Sequence, residues 1–175
     1  MIHTVQTAVL MVFPALVILG GVQDLVSYRI SNKVSLALVA GFLVAAAASL
    51  AAGAAPAVLG LNLAVGAGGL VAGVVMFALG WIGGGDAKLF AAAALWIGWP
   101  AALTYLAVTG LAGGGLALLL LSLRSPLARP LVLAGPAWFV RLGEPGENVP
   151  YGVAIAVGAL AAFPASVLVQ AAHAV

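Results

Sequence analysis

Residues 57–99 read AVLGLNLAVGAGGLVAGVVMFALGWIGGGDAKLFAAAALWIGW. From Ala57 to Ile82 no side chain is charged, and at about 1.5 Å per residue a helix over this run is about 39 Å long. That exceeds the roughly 30 Å hydrocarbon core of a bilayer. The following run, Ala87–Trp99, reaches only about 20 Å before Pro100 stops it. Three glycines, Asp86 and Lys88 fall at the join. Apolar runs of this kind recur on both sides, at Val5–Val22, Val34–Ala52, Ala101–Leu123 and Tyr151–Gln170. The expectation is an all-α membrane protein, a polytopic bundle of about six transmembrane helices forming one domain over residues 1–175. Val5–Val22 is read as a retained first span, because Met1–Gln6 lacks the basic residues that open a signal peptide.

Composition agrees. Of 175 residues, 65% are hydrophobic and 6% charged, against roughly 25% charged in soluble domains. Mean hydropathy is +1.28. A water-facing surface cannot be covered with so few charges, so a soluble globular fold is excluded. Six basic residues are also too few for a nucleic-acid footprint. The absence of Cys excludes disulfides, cysteine-ligated zinc and a thiol nucleophile. His3 and His173 lie near opposite ends of the sequence, and neither reads as a metal ligand. No metal or cofactor is expected, and nothing in the sequence specifies an oligomeric state.

The basic residues set the orientation. Arg29 and Lys33 lie between spans one and two, Lys88 opens span four, and Arg124, Arg129 and Arg141 lie between spans five and six. With six spans these regions face one side, while Gly53–Pro56 and the surroundings of Pro100 carry no basic residue. The positive-inside rule makes the basic side cytoplasmic and puts both termini outside. Trp81 is then expected near the inner face, with Trp96 and Trp99 near the outer one. Gly69–Gly73 and Gly110–Gly114 have the spacing of close helix packing, or reflect the bias of a chain with 23 Gly. Asn62 reads as an interhelical hydrogen bond. No internal repeat of the transporter kind is visible.

All four acids fall on the basic side. Glu144 and Glu147 sit in the Gly/Pro-bearing segment Gly143–Pro150 and read as solvated. Asp24 and Asp86 end and begin long apolar runs. A carboxylate at a helix C-terminus meets the negative end of the macrodipole, and one at an N-terminus the positive end, so ionisation is disfavoured at Asp24 and favoured at Asp86. Structural alternatives exist: Asp86 as an N-cap with Lys88 as an interfacial anchor, and Asp24 paired with Arg29. Yet span four is short, which sets Asp86 below the membrane surface if Trp99 marks the other interface. Ionisable groups at such depth are functional-site candidates by default.

Leu79-Gly80-Trp81-Ile82-Gly83-Gly84-Gly85-Asp86-Ala87-Lys88-Leu89 resembles the GxGD signature of the prepilin peptidases, the type IV leader peptidases of the aspartic intramembrane-cleaving class. Asp24-Leu25-Val26-Ser27-Tyr28-Arg29-Ile30-Ser31-Asn32 resembles that family's first aspartate motif, with Ser31 where the family often has Pro. Val149-Pro150-Tyr151-Gly152-Val153-Ala154-Ile155-Ala156 resembles its Pro-Tyr-Gly-x-Ala-Ile-Ala segment. The resemblance implies a catalytic dyad of Asp24 and Asp86. It also implies substrate contacts from Gly83, Gly84 and Gly85 and from Pro150, Tyr151 and Gly152. Lys88 joins this set as a group that tunes Asp86 or anchors span four. The substrate implied is a prepilin or pseudopilin with a short basic leader, cut at the cytoplasmic face of a bacterial inner membrane. Larger members carry a Cys-bearing insertion and methylate the new N-terminus. This chain resembles the short form of tight-adherence (Flp-type) pilus systems, for which methylation is not expected. Partners are thus the prepilin and membrane lipid, with no nucleic acid. The competing readings are a proton-coupled transporter or channel using the two aspartates, and a non-catalytic assembly partner in which they only pair with Arg29 and Lys88.

Overall fold

The computed structural model describes residues 2–173. Its helices are α1 (Ile2–Ser27), α2 (Asn32–Ala51), α3 (Pro56–Ala78), α4 (Gly84–Ile97), α5 (Ala102–Leu123), α6 (Arg129–Leu133), α7 (Ala137–Leu142), α8 (Tyr151–Ala162) and α9 (Val167–His173). Among the described residues, five segments are long and apolar enough to cross a membrane: Leu10–Ser27, Asn32–Ala51, Pro56–Ala78, Ala102–Leu123 and Tyr151–Ala171. The protein is an all-helical membrane protein, as its composition requires. The last run is not one smooth helix. Pro164 cannot donate an N–H, and a 3₁₀ turn over Phe163–Ala165 separates α8 from α9. The segment between spans five and six also folds locally, into α6 and α7, which hydropathy alone did not indicate.

The short α4 is the centre of the molecule. Leu89, Ala93, Trp96 and Ile97 are fully buried on it, and α1, α2, α3, α5 and α8 all pack around it. Its 14 residues give about 21 Å, less than a bilayer, and neighbouring helices bury most of it. Trp96 is therefore core and not an interfacial anchor. Its indole N–H, which needs an acceptor when buried, donates to the Leu38 carbonyl at 2.8 Å, and its ring packs with Phe13 and Phe163. Trp81 and Trp99 remain largely exposed.

Lipid tails are as apolar as leucine, so helix association in a membrane depends on close packing and interhelical hydrogen bonds. The glycines of α3 supply the first. A Cβ at Gly73 would lie 3.0 Å from the Ala87 carbonyl oxygen, and one at Gly69 would lie 3.0 Å from Ala94 Cβ. Asn62 supplies the second, donating from Nδ2 to the Leu95 carbonyl at 2.8 Å. The equally spaced Gly110 and Gly114 of α5 meet nothing within 4 Å. There the spacing reflects glycine abundance, and Gly113, against Tyr151, makes the contact.

Candidate active site

Asp24 and Asp86 come together at one end of the bundle, and the local sequence explains each half. Helix α1 runs past Val22 to Ser27, so Asp24 is in its last turn, its carbonyl accepting the Tyr28 N–H at 2.8 Å. The chain leaves α1 through Tyr28 at φ +52°. Gln23 Oε1 accepts the Ser31 N–H at 3.0 Å, and Ser31 Oγ accepts the Lys33 N–H at 3.3 Å to cap α2. Serine can thus occupy this position without loss of the turn. On the other side, α3 ends in a turn whose left-handed residue is Gly80, at φ +73°. The three glycines at the join, Gly83–Gly85, do not make this turn. Instead Gly83 is the N-cap of α4, and Gly84 and Gly85 already belong to the helix.

Asp86 is the third residue of α4, one turn inside its cap, and its Oδ2 accepts the Gly83 N–H at 3.0 Å. Its Oδ1 is buried without a hydrogen-bond partner. Asp24 Oδ2 accepts the Gly152 N–H, from the first turn of α8, at 2.7 Å. The two carboxyls lie on the wall of one cavity. Asp24 is 4% exposed and Asp86 6%, burial that an isolated ionised carboxylate tolerates poorly. The argument from helix ends needs amendment here. Asp24 lies near the negative end of α1, but it also receives the positive end of α8, an arrangement that no local reading contains.

Close packing holds this geometry. A Cβ at Gly152 would lie 2.8 Å from Asp24 Cβ and 2.9 Å from Ile30 Cδ1, and one at Gly85 would lie 3.2 Å from Ile30 Cβ. Only glycine lets α8 approach this near. Ile30 thus packs against α4 and α8 at once and holds the two helix starts in register.

A cavity of about 410 Å³ lies in front of the pair, lined by Asp24, Asp86, Tyr28, Trp81, Gly83, Glu147 and Tyr151 among others. Of the sequence-derived residues, Gly83 and Tyr151 join the aspartates on its wall, and Gly152 enters through its amide. Lys88 does not. Its ammonium donates to Asn32 Oδ1 at 2.9 Å, at the polar end of an apolar groove of about 560 Å³ between α2, α3 and α4. It therefore ties the segment after Asp24 to the segment after Asp86. Pro150 is buried and caps α8.

Sequence reasoning missed Tyr28 and Glu147. Glu147, read as solvated, is half-buried and lines the cavity. Its segment is fastened by Arg124, which donates to the carbonyls of Leu142, Glu147 and Asn148 at 3.2, 2.9 and 3.4 Å. The sequence signal was only its place three residues before Pro150. Burial, then the nearby Glu147, pushes the Tyr28 phenol above its ordinary range. Among the described residues no cluster of three or more metal-ligating side chains occurs. The side chains of His3 and His173 lie outside the described residues.

The sequence model of the type IV leader peptidase family matches residues 11–118, a stretch that contains both aspartates. No curated protein and no solved structure matches the chain.

Proposed function

Because the chain belongs to the type IV leader peptidase family, we propose that it is a membrane aspartic endopeptidase acting through Asp24 and Asp86. The observation that carries this reading is the meeting of two buried carboxyls from distant helices beside one cavity. Peptide hydrolysis by two carboxyls needs one ionised and one protonated, and two like charges so close do not both form cheaply, so the pair holds one proton. Asp86 accepts the Gly83 N–H at the positive end of α4, an arrangement that favours an ionised carboxylate. It therefore takes the part of base and removes a proton from water. Asp24 is the protonated partner and donates a hydrogen bond to the scissile carbonyl as the hydroxide adds. Collapse of the tetrahedral intermediate breaks the C–N bond, and the leaving amine takes up the proton gained by Asp86.

The substrate is a prepilin or pseudopilin, cut after its short basic leader, and the enzyme is a short form of the Flp-system type without methyltransferase activity. Gly83, Gly84 and Gly85, with Pro150, Tyr151 and Gly152, border the path of the extended substrate, and Lys88 acts as a brace through Asn32. The dyad lies at the end of the bundle that carries Arg29, Lys33, Lys88 and Arg124, which favours a cytoplasmic active site in a bacterial inner membrane. The test is cleavage of a prepilin by the purified protein in detergent. Cleavage by the wild type and none by Asp24→Asn or Asp86→Asn supports the reading. Near wild-type cleavage by either variant excludes the dyad.

A further inference from the structure

The cavity before the dyad is acidic although it opens on the basic end of the protein. Asp24, Asp86 and Glu147, three of the four acidic residues, line it, and none of the six Lys and Arg side chains does. Arg124 and Arg141 act electrostatically on Tyr28, and the Arg124 guanidinium is engaged by three backbone carbonyls. Two polar atoms of residues that line the cavity are buried. Oδ1 of Asp86, a residue 6% exposed, has no partner, and neither does the buried Tyr28 hydroxyl. Tyr28 also holds left-handed backbone at φ +52°, a conformation unfavourable for a non-glycine residue that tends to persist at ligand sites. The loop carrying Glu147 is tied down, so its carboxylate is offered from a fixed backbone.

Resting on the leader peptidase reading, we propose that Glu147 and Tyr28 form a specificity subsite for one Lys or Arg side chain of the leader. The Glu147 carboxylate meets the cation, and the Tyr28 hydroxyl donates to the substrate backbone beside it. On a face otherwise rich in positive charge, this cavity is where a cationic segment is accepted, and its position presents the peptide bond that follows to the dyad. Glu144, on the same loop, lines a different cavity, with Arg124 and Arg129, and takes no part.

The test is binding of two labelled peptides to the full-length Asp24→Asn protein in phosphatidylcholine nanodiscs. One peptide carries a Lys leader, the other Glu in its place, each before the same apolar segment. Glu147→Lys is expected to weaken binding of the Lys peptide about tenfold and to favour the Glu peptide, since like charges oppose. Glu147→Gln is expected to give a smaller loss, roughly threefold. Tyr28→Phe, which keeps the ring and removes the donor, is expected to weaken both peptides by about fivefold. Glu144→Lys makes the same charge change and is expected to leave the preference as it was. An unchanged preference in Glu147→Lys, or an equal shift in Glu144→Lys, overturns the proposal. Cleavage by the protein with Asp24 intact is measured alongside. Glu147-dependent preference without cleavage keeps the subsite and removes the peptidase reading; cleavage without preference does the reverse.

Discussion

The two halves of the aspartate pair are supported in different ways. Asp86 takes its N–H from Gly83, three residues away in the same helix start. Asp24 takes its own from Gly152, 128 residues away. One half is built by local chain geometry and persists wherever α4 forms. The other exists only when α8 seats against α1. A site assembled this way is formed only after the bundle has closed, so its weak point is the α1–α8 contact and not the glycine-bearing start of α4.

The largest expected effect tests whether the halves are equal in chemistry. Asp24→Asn and Asp86→Asn are each expected to lower kcat by about 10³-fold or more, because groups acting as a unit fail together. Assay of prepilin cleavage with purified variants measures this, and a large loss in only one variant breaks the equivalence. Next comes the contrast in support. Gly152→Ala sets a Cβ 2.8 Å from that of Asp24 and is expected to cost about 10² in kcat, the scale of a 1 Å misplacement. Gly83→Ala brings its Cβ to 3.1 Å from Asp86 Oδ2, an atom that can rotate away, and is expected to cost about tenfold or less. Equal losses would mean that both halves depend alike on tertiary seating.

The protonation assignment sharpens the comparison further. With Asp86 as base and Asp24 as acid, Asp86→Glu is expected to move the acidic limb of the pH–kcat profile and Asp24→Glu the basic limb. Identical displacement by both substitutions removes the assignment. Smaller again is a matched pair on the helix faces. Gly73→Ala forces α3 from α4, where its Cβ would lie 3.0 Å from the Ala87 carbonyl, at a cost of roughly 1–3 kcal/mol. Gly114→Ala points into open space and is expected to be neutral or to stabilise by up to about 1 kcal/mol. Thermal unfolding in detergent reads both. The smallest effect is Ser31→Ala, which removes the cap of α2 for a loss of about 1 kcal/mol.

Much of the molecule was legible without coordinates. Runs without charge place the spans, and the scarcity of charge isolates Asp24 and Asp86. Asn62 could be read as an interhelical bond because an amide in an apolar helix has few alternatives. The place of Glu147 on the cavity wall was not legible because a Gly/Pro-bearing loop has no period from which to infer facing. Trp96 was misread because hydropathy does not distinguish a helix among helices from one among lipids.

The sequence by itself determined the helical membrane class, the order of the spans, the two aspartates and the segments around them. These depend on properties of contiguous residues: apolar length, helix breaks and local charge. Only the tertiary structure decided that Gly152 serves Asp24, that Lys88 bonds Asn32 instead of facing Asp86, and that Tyr28 and Glu147 share a wall with the dyad. Those relations join groups far apart in the chain. Their geometry is set by how closely glycine-bearing helices approach, which no local pattern records.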